Sequence, residues 1–584
     1  MENPQIAAAL DEIADLLEFK GENPFRVRAY RNAGRLVRDQ PESIARSVGD
    51  PDRPLTSIRG IGKDLAEKIT QLVEQGRIDL LDELRAEIPA SVMLLMRIPG
   101  LGPKKAAALY KELGVQSLDA LREACLAHRV RELKGFGEKT EEAILAGIPF
   151  AATTSERIYW SEADRYVQSL VASLAVCPAA GRIAPAGSYR RGRETVADVD
   201  LLVESSDPAA VMDHFERLPE VVSKLGRGDT KLSVRLEGGL QVDLRVVPTE
   251  SFGAALQYFT GSKDHNVVLR GLAKSRGLRV NEYGVFRVAD RSGEAPAGEA
   301  GRVAGRTEED VYAALGLPWI PPELREARRE FEWAAHAALP ELITVDDLRG
   351  DLHMHTTESD GKATLEQMAA AAQARGLEYI AITDHSPRVS MANGLGPDRL
   401  RRQWAAIDRL NDRLTGFVVL KGVEVDILEG GGLDLPDDVL AEADWVVASV
   451  HYGQRQPRAQ ITARITGALA HPSVAAIAHP TGRIINRRLP YEVDLEAVCQ
   501  AAVRHGKLLE LNANPARLDL DDVACAAAKA HGIPIVISSD AHSAEGLDVT
   551  RYGILQARRA GLTKADVANT RSWSEVKRLL GRGD

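Results

Sequence analysis

The sequence Gly187-Ser188-Tyr189-Arg190-Arg191-Gly192, followed by Asp198-Val199-Asp200-Leu201-Leu202-Val203, predicts a turn and then a β-strand. Asp198 and Asp200 are two residues apart, so both carboxylates leave the same face of that strand. Apolar residues alternate in a second predicted strand, Leu240 to Val247, and Asp243 points away from them. Three carboxylates on one face repel one another unless a cation compensates them. The pattern predicts a site for Mg²⁺, whose usual ligands are carboxylates and triphosphate oxygens.

The turn before the strand offers groups that bind phosphate. Gly187 and Ser188 supply backbone N–H groups and a hydroxyl, and Arg190 and Arg191 add positive charge. An isolated Asp-x-Asp pair is most often a solvated strand edge. The turn, the basic pair, the spacing and the third aspartate together favour a nucleotide site.

Gly-x-Gly turns recur three times in the first 150 residues, each followed by a predicted helix. The first of these helices is predicted over 64–74, and helices over 6–19 and 24–37 precede it. Two glycines let the chain turn tightly, and the N–H groups that open the next helix face a phosphate. One such turn is weak evidence, whereas three predict sequence-independent binding to the DNA backbone. The predicted DNA-binding residues are Gly60, Gly62, Gly100, Gly102, Lys104, Gly135 and Gly137.

From Asp351 onward, short apolar strands alternate with Ala-rich helices, and the strands end in polar residues. Repeated units of this kind predict a parallel α/β barrel, which holds its chemistry at the carboxyl ends of the strands. Nine imidazole and carboxylate groups suit two or three ions, with Glu424 as the candidate bridge. Mixed nitrogen and oxygen ligands favour Zn²⁺, Mn²⁺ or Fe²⁺ over Mg²⁺. His505 and His531 are excluded because they end helices, and His471 because it opens a strand. The predicted ligands are His353, His355, Asp360, His385, Glu424, His451, His479, Asp540 and His542.

Length and composition indicate a large soluble protein. The chain has 584 residues, 44% hydrophobic and 27% charged, which suggests about three to five domains. It has no apolar run of about 18 residues, so no membrane span is expected. Four scattered cysteines fit a reducing cytosol. The net charge of −10 by itself argues against a nucleic-acid-binding protein. Enzymes that hold DNA through backbone amides and metal ions, however, need no basic surface.

The segment from Gly187 to Asp200 resembles the nucleotidyltransferase signature of family X DNA polymerases, the group that contains polymerase beta. The resemblance continues through 258–262 and 281–283, similar to the thumb of that family. It implies that Asp198, Asp200 and Asp243 are catalytic, with Asp243 activating the primer 3′-OH. Tyr258 and Phe259 would disfavour ribonucleotides, with core packing as the alternative. Lys263 stands where polymerase beta carries an acid. The substrate-binding residues that the resemblance implies are Gly187, Ser188, Arg191, Tyr258, Phe259, Gly261, Asn266 and Arg270.

The first Gly-x-Gly segment resembles the small N-terminal domain of polymerase beta, where a lysine forms a Schiff base with a 5′-deoxyribose phosphate. Lys68 matches that lysine, and Tyr30 matches a supporting residue. Asp64 replaces a phosphate-binding lysine of the family. Two interpretations of Lys68 therefore stay open: a catalytic lysine, or a surface lysine without a catalytic role.

The C-terminal motifs resemble those of the PHP (polymerase and histidinol phosphatase) domain. They are Asp351-Leu-His-Met-His-Thr, Ile382-Thr-Asp-His, Ala478-His-Pro-Thr and Ser539-Asp-Ala-His. Together the resemblances identify a bacterial family X polymerase fused to a PHP domain. The expected fold is multidomain, with α-helical helix-hairpin-helix domains, an α+β palm and thumb, and a distorted TIM-like α/β barrel. The implied domains are an N-terminal helical domain (1–90), fingers (91–150), palm (151–250), thumb (251–316), a linker with a solvated helix at 323–338 (317–348) and a PHP domain (349–584).

The function implied is short-gap filling in DNA repair, with a PHP-domain 3′→5′ exonuclease that could also cleave at abasic sites. Expected partners are gapped or primer-template DNA and deoxynucleoside triphosphates, with Mg²⁺ in the palm and two or three Mn²⁺ or Zn²⁺ ions in the barrel. A cytoplasmic, nucleoid-associated monomer is expected. Two alternatives stay open: a metal-dependent phosphatase of small phosphate esters, and a non-catalytic scaffold for DNA ends. The three hairpins and the palm argue against the first, and the three intact carboxylates argue against the second.

Overall fold

A computed structural model describes residues 3–38, 40, 44–51, 53–58, 60–88, 95, 98, 101–138, 140–142, 144–145, 148, 157–288 and 301–581. The chain divides into two compact units, Met1–Glu156 and Arg157–Asp584. Within the described residues, no helix combines the length and the apolar character needed to cross a membrane.

The first unit is helical. One apolar cluster, which includes Ile6, Leu10, Ile69 and Leu109, joins its helices. Gly62 and Gly102 are the N-caps of the helices that follow two of the predicted hairpins. Gly100 lies outside the described residues. The helices are α1 (Asn3–Lys20), α2 (Pro24–Arg38), α3 (Lys63–Gln75), α4 (Asp79–Glu87), α5 (Pro103–Leu113) and α6 (Leu118–Leu126).

The second unit begins with a five-stranded mixed sheet in the order β2-β4-β7-β6-β5. Strands β4 and β7 are parallel at its centre. Two helices pack their apolar residues, such as Leu170 and Phe215, against the sheet. Short strands β1 (Ile158–Tyr159) and β3 (Thr195–Val196) pair beside it. The main elements are α7 (Trp160–Ala175), β2 (Ile183–Pro185), α8 (Gly187–Arg190), β4 (Asp198–Glu204), α9 (Pro208–Glu216), β5 (Val221–Arg227), β6 (Lys231–Leu236) and β7 (Gln241–Val247).

The following region is built from helices around a three-stranded sheet. Strands pair in the order β10-β9-β8, and the apolar core includes Leu269, Tyr312 and Ile320. Its elements are α10 (Phe252–Thr260), α11 (Lys263–Ser275), β8 (Leu278–Asn281), β9 (Gly284–Arg287), β10 (Arg302–Ala304), α12 (Glu308–Ala314) and α13 (Glu330–Ala335).

The prediction of a solvated helix over 323–338 is wrong. Only Glu330–Ala335 is α-helical there. Arg325 is fully buried, and its Nη1 lies 2.6 Å from the Glu308 carboxylate. Leu324 and Leu342 belong to the apolar core of the preceding region. Arg325, Glu326 and Glu330 are paired inside the protein, whereas Arg329 and Glu332 are exposed. A composition count does not reveal which charges are buried.

The C-terminal region is a seven-stranded parallel sheet in the order β11 to β17. A bridge between Met354 and Ala541 connects the segments that follow the first and last strands, so the sheet nearly closes and the predicted barrel is confirmed. His471 follows a helix as its C-cap and does not open a strand. The strands are β11 (Gly350–Asp351), β12 (Tyr379–Ile382), β13 (Val418–Asp426), β14 (Trp445–Ser449), β15 (Val474–Ile477), β16 (Leu508–Asn512) and β17 (Ile535–Ser538).

Helices cover the outside of the barrel, as βα units require. A large apolar cluster, with Trp404, Ile465 and Ile554 among its members, packs them onto the strands. The helices are α14 (Leu365–Ala374), α15 (Pro397–Asn411), α16 (Asp437–Ala441), α17 (Arg458–Ala470), α18 (Leu495–His505), α19 (Asp522–Ala530), α20 (Thr550–Arg559) and α21 (Trp573–Leu579).

Candidate active sites

The three palm aspartates lie together at the centre of the five-stranded sheet. Asp200 of β4 is the register partner of Asp243 on β7, and Asp198 is two residues before Asp200 on the same face. Burial, together with the charges of Asp198 and Asp243, raises the pKa of Asp200 to about 7. Burial and Asp243 also raise the pKa of Asp198. It is therefore costly to ionise these carboxylates together, and a bound divalent cation would offset that cost.

Asp243 differs from the other two because it has a positive neighbour. Lys231 Nζ lies 2.9 Å from Asp243 Oδ2. Burial alone would raise the pKa of Asp243, but hydrogen bonds from Ser233 and Lys231 lower it. Asp243 is therefore held as the most readily ionised member of the three, as a base or metal ligand requires.

Gly187 allows the predicted phosphate turn to approach the carboxylates. Its φ is +62°, and a Cβ there would lie 2.5 Å from Asp200 Oδ2. Any larger residue would meet both a backbone and a steric penalty. Ser188, next in the short helix α8, is half-buried beside this carboxylate face.

The two arginines of the turn connect the palm to the thumb. The Arg190 guanidinium lies 2.7 and 2.8 Å from the two Glu308 carboxylate oxygens. Arg191 donates to the carbonyl of Thr260 at 2.6 Å and to Glu326 at 3.1 Å. Binding of a triphosphate by Arg191 remains a prediction. Its guanidinium would have to divide its N–H donors between the substrate and these two partners.

The aromatic pair of the thumb borders the carboxylate strand. The rings of Tyr258 and Phe259 are 5.2 Å apart and nearly perpendicular. The guanidinium carbon of Arg245, two residues after Asp243, lies 4.1 Å from the centre of the Phe259 ring. Both aromatic side chains are half-buried, so part of each remains accessible, unlike a residue of the core.

The other predicted substrate residues lie at the same end of the thumb. Asn266 Nδ2 donates to the Tyr258 carbonyl at 2.7 Å, and Arg270 Nε donates to the Asn266 carbonyl at 3.2 Å. A Cβ on Gly261 would lie 3.3 Å from Arg191 Nη1. The structure thus brings the predicted thumb and palm residues together, although their roles toward a substrate remain predictions.

All nine predicted barrel ligands lie at the carboxyl ends of the strands or in the loops that follow. Glu424 is central: its oxygens lie 2.9 Å from His385 Nδ1, 3.0 Å from His479 Nε2 and 3.3 Å from His353 Nε2. Ligand atoms converge in three groups, namely His355-Asp360-His385-His542, His353-His355-Asp540 and His385-Glu424-His451. Shared members make this one cluster suited to more than one ion.

The donor set fits divalent cations with mixed nitrogen and oxygen ligands. Nε2 of His353, Nδ1 of His355 and Nδ1 of His385 are buried and lack a hydrogen-bond partner among the described residues. Carboxylate oxygens lie near them without hydrogen-bond geometry. Buried polar atoms without partners are costly, and a metal ion between nitrogen and oxygen would satisfy both.

Sequence reasoning missed the residues that orient these ligands. Glu510 accepts hydrogen bonds from the ring of His353 at Nδ1 and from the backbone N–H of His479, both at 2.7 Å. Asp426 Oδ1 lies 2.9 Å from the His451 backbone nitrogen and 3.2 Å from its Nδ1. Such carboxylates fix the orientation of metal-binding histidines. Glu510 was recognisable as an acidic residue inside the apolar strand β16.

The hairpin glycines and Lys68 lie in the N-terminal unit. Space is open beside Gly62, Gly102, Gly135 and Gly137, and Gly60 has a φ of +107°. Lys104 is exposed on α5. Open glycines at the starts of helices leave room for a phosphate.

Lys68 is half-buried on α3, one turn after Asp64. Tyr30 OH donates to Asp64 Oδ2 at 3.0 Å. Burial and the Asp64 charge raise the pKa of Tyr30 to about 12. Asp64 therefore has a structural partner, and a role of Lys68 toward DNA remains a prediction.

Four family models match the chain. They are a helix-hairpin-helix domain (residues 1–78), a SAM-like helix-hairpin-helix tandem (92–148), a DNA polymerase beta thumb (255–326) and a PHP domain (351–514). Together they define a chain that joins helix-hairpin-helix and DNA polymerase beta-type domains to a PHP domain.

The full chain is 42% identical, over 587 residues and the whole length of both proteins, to DNA polymerase/3′-5′ exonuclease PolX of Bacillus subtilis (strain 168). The chain belongs to this PolX family of family X DNA polymerases with a PHP domain. DNA polymerase lambda of Rattus norvegicus is 29% identical over 46% of this chain and 48% of its own. A probable phosphatase of Thermoanaerobacter sp. (strain X514) is 33% identical over 38% of this chain and 89% of its own.

Proposed function

We propose that this chain is a DNA polymerase that fills short gaps and a 3′→5′ exonuclease, with the two reactions at separate centres. The observation that carries the proposal is that one chain of this family holds two intact ligand sets. Asp200 and Asp243 are in register in the palm, and nine groups converge around Glu424 in the barrel.

In the palm, Asp198, Asp200 and Asp243 would hold Mg²⁺, which would neutralise the triphosphate and the attacking oxygen. Asp243 takes the proton of the primer 3′-OH or orients that group, because Lys231 keeps its carboxylate ionised. The 3′ oxygen bonds to the α-phosphorus, and diphosphate leaves. Ser188 and Arg191 bind triphosphate oxygens, and Tyr258 and Phe259 lie against the sugar.

In the barrel, the nine ligands would hold two or three Mn²⁺ or Zn²⁺ ions, which would activate water and neutralise the phosphodiester. Glu510 and Asp426 hold the rings of His353 and His451 in fixed orientations. Water adds to the phosphorus of the terminal phosphodiester, and the bond to the 3′ oxygen breaks. A nucleoside 5′-monophosphate leaves, and the shortened strand takes the proton at its new 3′-OH.

The helix-hairpin-helix segments support a DNA substrate over a small phosphate ester, which needs neither the hairpins nor the palm. We further propose that Gly60, Gly62, Gly102, Lys104, Gly135 and Gly137 contact the DNA backbone. Cleavage at abasic sites, the monomeric state and a cytoplasmic, nucleoid-associated location are part of the same proposal. Four buried free cysteines support a reducing compartment.

Extension of a primer across a one-nucleotide gap tests the palm assignment. Asp200→Ala should lower incorporation by about three orders of magnitude, because an ion that stabilises the reacting charge contributes several kcal/mol. Asp229→Ala, at an exposed palm aspartate, is the matched control and should retain activity. Undiminished incorporation by Asp200→Ala would refute the assignment, and fluorescence anisotropy should show that the variant still binds the duplex.

A further inference from the structure

Two arginines outside the nine-ligand set lie beside the barrel cluster. Arg517 lines the same cavity as Glu424, His479 and Asp540. Its ion-pair partner within the described chain is Asp540, whose Oδ2 is 3.7 Å from Arg517 Nε. Asp540 is itself a candidate metal ligand, so an ion in the cluster would compete for its charge. Arg517 therefore faces the metal site, and its ion-pair partner there would be shared with a bound ion.

Arg488 is held on a hairpin that directly follows His479. Ile484 and Arg488 exchange backbone hydrogen bonds of 2.9 and 2.7 Å, and Arg488 Nε donates to the Gly482 carbonyl at 2.9 Å. No carboxylate forms an ion pair with Arg488 in the part of the chain that the structure describes. The Arg488 side chain is exposed. Ile485 of this hairpin donates its N–H to the Ala516 carbonyl at 2.8 Å, so Arg488 and Arg517 lie on adjoining segments.

Arg483 links the hairpin that carries Arg488 to the loop that carries Arg517. Its Nε donates to the Arg517 carbonyl at 2.9 Å, and its Nη2 lies 2.7 Å from Glu194 of the palm. The hairpin that carries Arg488 and the loop that carries Arg517 are therefore joined to each other and to the palm.

The exposed guanidinium of Arg488 and the cavity-lining guanidinium of Arg517 are both accessible to an anionic ligand. Guanidinium groups bind phosphate oxygens in paired hydrogen bonds. The cavity already contains the candidate metal site, so the phosphate at Arg517 would be the one that reacts. Arg488 does not line that cavity, so it would contact a phosphate farther along the strand.

We infer that Arg517 and Arg488 form a two-phosphate site, with Arg517 on the scissile phosphate and Arg488 on the next phosphate toward the 5′ end. This inference rests on the proposed exonuclease function and deepens it. It explains why the barrel would act on a polynucleotide: a small phosphate monoester fills the Arg517 half and leaves Arg488 without a ligand.

Loss of Arg488 and loss of Arg517 should have different kinetic effects. Arg488 contacts a phosphate that does not react, so its loss weakens binding equally in the ground and transition states and raises KM. Arg517 contacts the phosphate on which charge develops, so its loss lowers kcat. Hydrogen bonds to charged groups contribute about 1.5–3 kcal/mol, which corresponds to about 10- to 150-fold.

The test compares thymidine dinucleotide, with one phosphate, and thymidine trinucleotide, with two, at saturating Mn²⁺. The ratio of kcat/KM for the 3′-terminal bond, trinucleotide over dinucleotide, should be at least about 10 in the natural protein. Arg488→Ala should bring the ratio close to one by raising KM for the trinucleotide. Arg487→Ala is the matched control, because this exposed arginine lies on the same hairpin, and it should leave the ratio unchanged.

Arg517→Ala should lower kcat for both substrates, and Arg517→Lys should restore part of it. Two further readouts exclude simple loss of the site: metal content should stay unchanged in all four variants, and calorimetry should show weaker binding of inorganic phosphate only for the Arg517 variants. Equal ratios for Arg488→Ala and Arg487→Ala, or an unchanged kcat for Arg517→Ala, would overturn the inference. If the natural protein with Mn²⁺ leaves both substrates and long single-stranded DNA intact, the proposed exonuclease function itself fails.

Discussion

The palm and the barrel both contain clustered acidic groups, but they offer a metal ion different numbers of protein ligands. The palm offers three carboxylates, of which Asp243 is shared with Lys231. The barrel offers nine groups, and His353, His355 and Glu424 among them are almost fully buried. A three-carboxylate site leaves positions for substrate oxygens, whereas a nine-ligand cluster is almost complete without substrate.

This difference predicts two modes of metal use. Mg²⁺ keeps several water ligands and is usually bound together with a substrate phosphate, which matches the open palm. Imidazole-rich sites bind Mn²⁺ or Zn²⁺ more firmly, which matches the buried barrel. The palm should therefore acquire its ions with the incoming nucleotide, and the barrel should carry its ions permanently.

The largest expected effect concerns metal retained after gel filtration. Glu424→Ala should lose most bound Mn²⁺ or Zn²⁺, because the variant removes the carboxylate that contacts three imidazoles. Asp200→Ala should retain the full amount. Glu442→Ala, at an exposed barrel carboxylate that pairs with Arg401, serves as the control, and elemental analysis gives the result. Full metal content in Glu424→Ala would show that the barrel is not the resident site.

A smaller effect is expected where the palm meets the thumb. Glu308 is buried and is shared by Arg190 and Arg325, so Glu308→Gln should reduce the free energy of unfolding by about 3–5 kcal/mol. Gap filling should fall with it, while degradation by the barrel should persist under native conditions. Glu309→Gln, the neighbouring exposed residue, is the control.

The pH dependence of this pair has a defined sign. Burial alone would raise the pKa of Glu308, but Arg325 and Arg190 lower it from 4.5 to about 2. The stabilisation is therefore present above pH 4.5 and lost as the pH falls toward about 2. The difference in unfolding free energy between Glu308→Gln and the natural protein should shrink between pH 6 and about pH 3. A constant difference in denaturant titrations over that range would contradict the ion-pair explanation.

The smallest effect is expected at Lys68, which neither centre uses. If Lys68 forms a Schiff base, borohydride should trap the protein on DNA bearing a 5′-deoxyribose phosphate, and Lys68→Ala should remove the adduct. Lys63→Ala, on the same helix, should not remove it. Absence of an adduct in the natural protein would refute the lyase hypothesis and leave the assignments of the other two centres unchanged.

The sequence predicted the two ligand sets because both follow simple periodicities. Alternation placed Asp198, Asp200 and Asp243 on one face, and strand ends collected the barrel ligands. Contacts between distant segments left no such pattern: Arg191 is bound by Glu326, 135 residues away. Local composition also misjudged Arg325, whose partner Glu308 lies in another helix. Pairing of this kind is decided by tertiary packing.

The most direct test of two independent centres is a gapped duplex labelled at the primer 5′ end, with Mg²⁺ and Mn²⁺ supplied separately. Asp200→Ala should degrade the primer without extending it, Glu424→Ala should extend without degrading, and the double variant should do neither. An equal mixture of the two single variants should perform both reactions. Loss of both activities in either single variant, or degradation by the double variant, would contradict the account.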